Sequence, residues 1–404
     1  MKILFISHYD NMYGANRALL DLIRGMLKSG AHIPYLVLPS AGGFVETLKK
    51  EGVAYTLHTA AAEKDMRDPA ARLHCYICPV TQWQAIYKEP VSFAIKRKKR
   101  RRQIAEELEC LYQYFKDEGI DVIHSNSSVI GTGAMLAERL GCMHVWHIRE
   151  FAQEHYGMEY FYPEAQVRRY YEQAACLVTI SDALKEYMRE KYPAANVVRI
   201  YDGVEAGKIL AAALPSAAKQ RADTIRFVYV AYLFPKKQQL MVLQAAAALY
   251  AEGERDFHVT FAGTGQPAYE KKLRRFARKH GLSEIAEFAG FVKDIPALLL
   301  QSDVGLMASE HEGFGLVTVE YMLAGLPVIG YESGATPEIV AEETGLLYHD
   351  KEGLKQAMRK LMKDAALRKR LGENAKKRAA EHFPAEANTA AVLKLYDSLR
   401  KGDL

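Results

Sequence analysis

Val304-Gly-Leu-Met-Ala-Ser309-Glu-His-Glu312-Gly313-Phe314-Gly315-Leu316-Val317-Thr-Val-Glu320 reads as a strand that runs through a glycine loop into a helix. The first five residues form an unbroken apolar run, as expected of a parallel strand covered on both faces. Gly313 and Gly315 lack a Cβ and let a ligand approach the backbone. The free N–H groups of the helix's first turn then point at whatever sits there, and the helix dipole favours an anion. Glu312 stands at the mouth of the loop, and Glu320 follows about two helical turns later. A diphosphate on the helix start, with the two carboxylates reaching ribose or sugar hydroxyls, fits this layout. So does a plainer arrangement in which Glu312 caps the helix and Glu320 is a solvated helix residue.

The same strand–loop–helix pattern recurs outward in both directions. Before it come apolar runs at Ile3–Ile6, Tyr35–Leu38, Val122–His124, Val145–Ile148 and Leu177–Ile180, then Phe227–Val230, His258–Ala262 and Ala286–Phe288. After it comes Pro327–Gly330. Helix-length segments separate these runs, among them Asn16–Lys28 with Leu19, Leu20, Ile23 and Leu27 on one face, Ala268–His280, and helices opening at Gln239 and Thr318. Alternating strand and helix predicts an α/β chain with doubly wound parallel sheets. An alanine-rich stretch with Pro215, between Gly203 and Thr224, interrupts the pattern. We therefore expect a Rossmann-like domain over residues 1–203, a second over 204–384, and a C-terminal helix over 385–404 packing back on the first. The halves show no fixed-period similarity and are not sequence repeats. Ligands of such sheets bind at the carboxyl ends of strands, and the expected site is a cleft between two sheets.

In the loop Ser7–Asn16, Gly14 is the only glycine. The fingerprint G-x-G-x-x-G is missing there, which argues against a dinucleotide cofactor. Alone, Gly14 could serve a turn or the approach of a phosphate or sugar.

Composition narrows the class. Of 404 residues, 49% are hydrophobic and 25% charged, a globular balance, and no uncharged run approaches the roughly 20 residues of a membrane span. Met1-Lys2 runs straight into Ile3–Ile6 and is soon followed by His8 and Asp10, unlike a secretory signal, so the expected location is cytoplasmic. The five cysteines are odd in number and scattered, as in a reducing compartment. Cys75 and Cys78 form a C-x-x-C with only His74 nearby, and a zinc site would need a second pair.

The net charge is +5, but seven consecutive bases, Lys96, Arg97, Lys98, Lys99, Arg100, Arg101 and Arg102, concentrate it. They lead into a helical pattern of Ile104, Leu108, Leu111 and Phe115. Cations at a helix N-terminus oppose its dipole, which suggests another use for the block. An anionic membrane surface would attract such bases by about 1 kcal/mol each. A solvated surface loop is the alternative. No aromatic residues interleave with the bases, which weighs against nucleic acid.

The segment Glu312 to Glu320 resembles the E-x7-E signature of the retaining GT-B glycosyltransferases of family 4 (glycosyl transferases group 1). The match continues through Tyr321-Met-Leu-Ala-Gly-Leu-Pro-Val-Ile329, Gly334 and Glu338-Ile-Val340. In the first half it takes in Gly14-Ala15, Asp121-Val-Ile-His124, His147-Ile-Arg149-Glu150, Ile180-Ser181 and Tyr201-Asp202-Gly203-Val204. The resemblance implies two Rossmann-like domains facing across a cleft. It also implies transfer of a hexose-type sugar from a nucleotide diphosphate donor to a glycan or lipid-linked acceptor, as in bacterial cell-surface polysaccharide synthesis. By it, Glu320 would bind the donor ribose. Glu312 and the backbone of Gly313, Phe314, Gly315, Leu316 and Val317 would hold the sugar and diphosphate. Gly14 and Ala15 would pack against the donor, and His147 would stand beside the reacting sugar, so that His147 and Glu312 are the expected catalytic pair.

One loop departs from the family. Its G-R-L-x-P-x-K-G reads here Ala231-Tyr232-Leu233-Phe234-Pro235-Lys236-Lys237-Gln238. Lys237 keeps the lysine, Tyr232 replaces the arginine and Gln238 the glycine. Tyr232 can hydrogen-bond a phosphate but not neutralise it; Lys236 and Arg149 are the candidate substitutes. The sequence contains no D-x-D pair for a divalent metal. A helix start and a lysine remain to stabilise the leaving diphosphate, so we expect neither metal nor cofactor. Two alternatives stay open at this stage: a silent nucleotide-sugar-binding module and a GT-B-fold sugar-nucleotide epimerase.

Overall fold

The computed structural model describes residues 1–59, 71–86, 90–211 and 224–403. The alanine-rich connection falls mostly outside them, at 212–223. The chain forms two compact units, Met1–Asp202 with the segment from Ala385, and Gly203–Pro384.

The first unit holds strands β1 (Lys2–Ile6), β2 (Ile33–Leu38), β3 (Tyr55–Thr59), β4 (Leu73–Ile77), β5 (Gln84–Ile86), β6 (Val122–Ser125), β7 (Met143–Ile148), β8 (Met158–Tyr160), β9 (Cys176–Thr179) and β10 (Val197–Arg199). Eight of them make one sheet in the order β10-β9-β7-β6-β1-β2-β4-β3, while β5 and β8 pair separately and antiparallel. Every pairing in the large sheet is parallel. Ile3, Leu4, Phe5 and Ile6 are all fully buried. Ile3 and Phe5 pack into one core and Leu4 and Ile6 into the other, as alternation along a strand covered on both faces requires.

The second unit holds β11 (Ile225–Val230), β12 (Phe257–Ala262), β13 (Ala286–Gly290), β14 (Val304–Met307), β15 (Val328–Tyr331) and β16 (Gly345–Tyr348). Their order is β13-β12-β11-β14-β15-β16, again all parallel. Chain order reverses at β1/β6 in the first sheet and at β11/β14 in the second. These switch points are where loops diverge and leave room for a ligand.

The C-terminal helix Ala385–Lys401 belongs to the first unit. Its Val392, Leu395 and Tyr396 join the core that receives Leu19 and Ile23 of the helix Gly14–Ser29.

The basic run needs correction. The helix that carries it spans Pro90–Phe115, so Lys96 lies well beyond the first turn rather than at the N-terminal end. The helix dipole therefore does not act on these bases, since its effect is confined to the terminal turn. Ile104, Leu111 and Phe115 are buried as expected. The cysteine pair is inert packing: Cys75 and Cys78 are buried, and burial pushes the Cys75 thiol up to about 12. No helix among the described residues is long and apolar enough to cross a membrane.

Candidate functional site

In the second unit, the loops leaving β11 and β14 meet at the switch point. Lys237 Nζ donates to Glu312 Oε2 at 2.7 Å, with 19% and 16% of the two side chains exposed. Lys236 and Glu310 form a parallel pair at 2.7 Å, more open to solvent, and Glu310 N donates to Lys236 O. Three side chains hold this frame in place. Tyr229 donates from its hydroxyl to Lys237 O at 2.5 Å, Gln239 Nε2 donates to Tyr232 O at 3.0 Å, and Tyr321 Oη accepts the Val230 N–H at 2.7 Å.

The helix Leu316–Leu323 starts from Gly315, whose φ of 88° lies in the left-handed region, and no side chain caps it. Glu312 is thus not the cap; the Thr318 N–H bonds Gly315 O at 2.8 Å, and the N–H groups of Leu316 and Val317 are those the first turn offers a ligand. Glu320 is only 5% exposed, not a solvated helix residue. The side chain of Phe314 turns away into packing against Phe383, ring centroids 5.6 Å apart, so only its backbone serves the loop. Leu316 and Val317 are half-buried. Tyr232 is 55% exposed and reaches neither acidic residue of the pairs above by a hydrogen bond.

The structure adds contacts at two places in this site, one at Gly334 of the family match and one at Gly263 and Gly265, which the sequence reading did not name. Gly334 brings its backbone against Glu312: a Cβ there would lie 2.5 Å from Glu312 O, and Ala335 N donates to that oxygen at 2.9 Å. Gly263 and Gly265 underlie the Ala231–Leu233 loop, where Cβ atoms would meet Ala231 O at 2.1 Å and Leu233 O at 2.2 Å. The G-x-G of Gly263-Thr-Gly265, directly after β12, was the available signal for the second.

In the first unit, polar residues gather where β1, β6 and β7 end. Gly14 opens its helix with an ordinary φ, so it serves no left-handed turn. Asn16 ties the preceding loop by donating to Tyr9 O and Asn11 O. Asn126 Nδ2 donates to Ala15 O at 3.1 Å, and its Oδ1 accepts from Arg149 Nε at 3.1 Å. Arg149 is buried, donating also to Asp202 Oδ2 at 2.5 Å and to His147 Nδ1 at 3.4 Å. Its guanidinium is thus engaged on all three nitrogens within its own unit. Glu150 faces away from this group and accepts from the Ser127 and Ser128 hydroxyls and the Ser128 N–H.

His147 is fully buried, with Nδ1 3.1 Å from His124 Nε2, whose Nδ1 lies 2.6 Å from Tyr396 Oη. Burial, reinforced by the Arg149 charge, holds both imidazoles well below the usual histidine range. They are neutral at physiological pH. His147 Nε2 is buried and has no hydrogen-bond partner among the described residues.

Two family models match: Glycosyltransferase Family 4 over residues 13–208 and Glycosyl transferases group 1 over residues 214–378. The chain belongs to the family 4 glycosyltransferases. It is 31% identical over 165 residues to N-acetyl-alpha-D-glucosaminyl L-malate synthase of Bacillus anthracis, covering 40% of this chain but only 42% of that enzyme's length. It is 28% identical over 305 residues to D-inositol 3-phosphate glycosyltransferase of Corynebacterium glutamicum, 69% of this chain and 72% of the other. Among solved structures, Anabaena HepE in complex with UDP-glucose superposes with a TM-score of 0.74 at 19% identity, over 98% of this chain and all of that one. The glycosyltransferase thus has the GT-B fold, two Rossmann-like domains.

Proposed function

We propose that this glycosyltransferase moves a hexose-type sugar, with retention, from a nucleotide diphosphate donor to a glycan or lipid-linked acceptor, using neither metal nor cofactor. The observation that carries the reading is the Lys237–Glu312 pair at the foot of the uncapped helix Leu316–Leu323. A diphosphate arriving there gains Lys237 and the first-turn N–H groups of Leu316 and Val317. As the bond to the sugar breaks, negative charge grows on the leaving oxygen, and donors fixed in advance stabilise it without reorganisation. Glu312 then accepts from sugar hydroxyls as Lys237 turns to the diphosphate, while Glu320 takes the ribose. By the family resemblance, the first unit would contribute His147 for the transferred sugar and Gly14 and Ala15 for the donor. Lys236 is the second candidate phosphate partner, since Arg149 is committed elsewhere. The donor phosphate would assist deprotonation of the acceptor. The fold neighbour Anabaena HepE, solved in complex with UDP and with UDP-glucose, supports this donor class.

A second partner is favoured by the basic helix. Val91 and Ile95, one turn apart, are 74% and 69% exposed, and Lys96, Arg97, Lys98, Lys99 and Arg102 are exposed around them. Apolar side chains ringed by lysine and arginine suit the anionic headgroup region of a membrane, where a lipid-linked acceptor would reside. The enzyme would then work at the cytoplasmic face.

A screen of UDP-, GDP- and ADP-sugars for hydrolysis in EDTA tests the donor reading, with Glu312→Ala as the control. Turnover of one donor, lost in the variant, is the expected result, and the anomeric configuration of the product reports retention. Binding without turnover, even with acceptors supplied, would favour the silent nucleotide-sugar module. The family assignment itself speaks for transfer over epimerisation.

A further inference from the structure

The row Tyr396–His124–His147–Arg149 contains enough information to fix every proton in it. Arg149 is a donor only, so the His147 Nδ1 that faces its Nη2 must offer a lone pair. His124 Nε2 faces the same Nδ1 at 3.1 Å and must therefore carry a hydrogen. A neutral His124 with its proton on Nε2 has a lone pair on Nδ1, and the Tyr396 hydroxyl at 2.6 Å donates to it. His147, accepting on Nδ1, is left with its own proton on Nε2, the atom that is buried and unpartnered among the described residues. The opposite protonation pattern would aim an N–H at a guanidinium.

We infer that Tyr396 and His124 are positioning residues that hold His147 as a neutral Nε2–H donor, and that the ligand of this donor is an uncharged sugar oxygen. The C-terminal helix thereby takes part in substrate recognition without touching substrate: its Tyr396 hydroxyl is the far end of a row whose near end is the His147 N–H. No proton is transferred along the row; its role is to exclude the tautomer in which His147 Nε2 would be an acceptor and repel a sugar oxygen's lone pairs. The inference rests on the proposed placement of His147 beside the transferred sugar only for the identity of the ligand. The tautomer assignment stands on the hydrogen bonds alone.

Long-range proton–nitrogen correlation spectra of the full chain labelled with ¹⁵N-histidine read the tautomers directly, with His124→Gln and His147→Gln assigning the signals. Both rings should be neutral and in the Nε2–H form from about pH 6 to 8. In Tyr396→Phe, which keeps the ring and removes the donor, the His124 signal should move to a mixture of tautomers. UDP-glucose hydrolysis should fall about tenfold in kcat with little change in KM. Because Gln at 147 carries a fixed amide donor, Tyr396→Phe added to His147→Gln should cost nothing more, a non-additivity that a merely structural tyrosine would not show. An Nδ1–H form at His147, or a His124 tautomer indifferent to Tyr396→Phe, overturns the inference. If the spectra agree but His147→Ala, which removes the donor altogether, leaves UDP-glucose turnover untouched, the row stands and the placement of His147 at the sugar is what fails.

Discussion

Gln238 occupies the position where the family has glycine, and its φ of 53° makes it the one non-glycine residue in the left-handed region among those described. The loop has kept the glycine's conformation after losing the glycine. Left-handed backbone costs a side-chain-bearing residue about 1–2 kcal/mol, of which glycine's greater unfolded freedom returns about 0.5–1. Gln238→Gly should therefore raise the urea midpoint of the second unit by the equivalent of roughly 0.5–1 kcal/mol. An unchanged midpoint would mean that the Gln238 side chain makes contacts worth as much as the strain. Gly334 gives the opposite case. Its φ is 58° and a Cβ would overlap the Glu312 backbone, so Gly334→Ala should cost about 2–4 kcal/mol. Donor affinity should weaken with it, because relief of the overlap must move Glu312. Stability lost without affinity would separate the loop's packing from its ligand role.

At the scale of elements, the helix Pro90–Phe115 divides along its length. Its later turns bury Ile104, Leu111 and Phe115, and Arg101 is packed down, donating to Phe161 O at 2.7 Å with its guanidinium over the Tyr162 ring. Val91, Ile95, Lys98, Lys99 and Arg102 fall on the opposite side at helical spacing. Flotation with phosphatidylglycerol vesicles should retain the enzyme and phosphatidylcholine vesicles should not. Ile95→Glu, or Lys98→Glu with Lys99→Glu, should each release it at about five-fold or greater weakening, corresponding to roughly 1 kcal/mol per residue. These positions bear no part of the core, so folding is preserved. Equal binding to both vesicle types, or none, would return the run to a solvated face. The same helix shows what the sequence made legible. The continuous apolar runs gave the central strands of both sheets to within a few residues, because strands buried on both faces leave that signature whatever their neighbours. The edge strands β3, β10 and β16, and β4 beside β3, were missed, since partial exposure mixes polar residues such as His58, His74 and Arg199 into the run. The start of the basic helix was missed because charges carry no periodicity. Glu312, Lys237, His147, Gly334 and His124 all stand in stretches that carry the family resemblance, whereas Asn126 and Tyr396 carry no local signal, Tyr396 lying 272 residues from the His124 it bonds.

The whole molecule carries an acid sensitivity concentrated in one unit. His124, His144 and His147 are all buried in Met1–Asp202, and burial holds their imidazoles down, His144 to about 3. Unfolded, each would titrate near 6.5, so below that pH the unfolded chain binds protons that the folded chain refuses. Stability therefore falls as pH falls from 6.5 towards the folded values, by up to about 1.4 kcal/mol per pH unit for each histidine. Three such groups amount to roughly 4 kcal/mol of loss between pH 7.5 and 5.5, a large share of the usual 5–15 kcal/mol. Glu107 and Glu150, raised by burial, act in the opposite sense and offset part of this loss at lower pH. The second unit has His258 lowered by burial but no comparable cluster among its described residues. Calorimetry should show a single or closely spaced transition at pH 7.5 and an earlier first-unit transition at pH 5.5. Turnover between pH 6.5 and 8 should show no limb from His147, which stays neutral throughout. A first-unit transition indifferent to pH over this range would mean that the three rings accept protons in the folded state, and the neutral donor at His147 would fall with it.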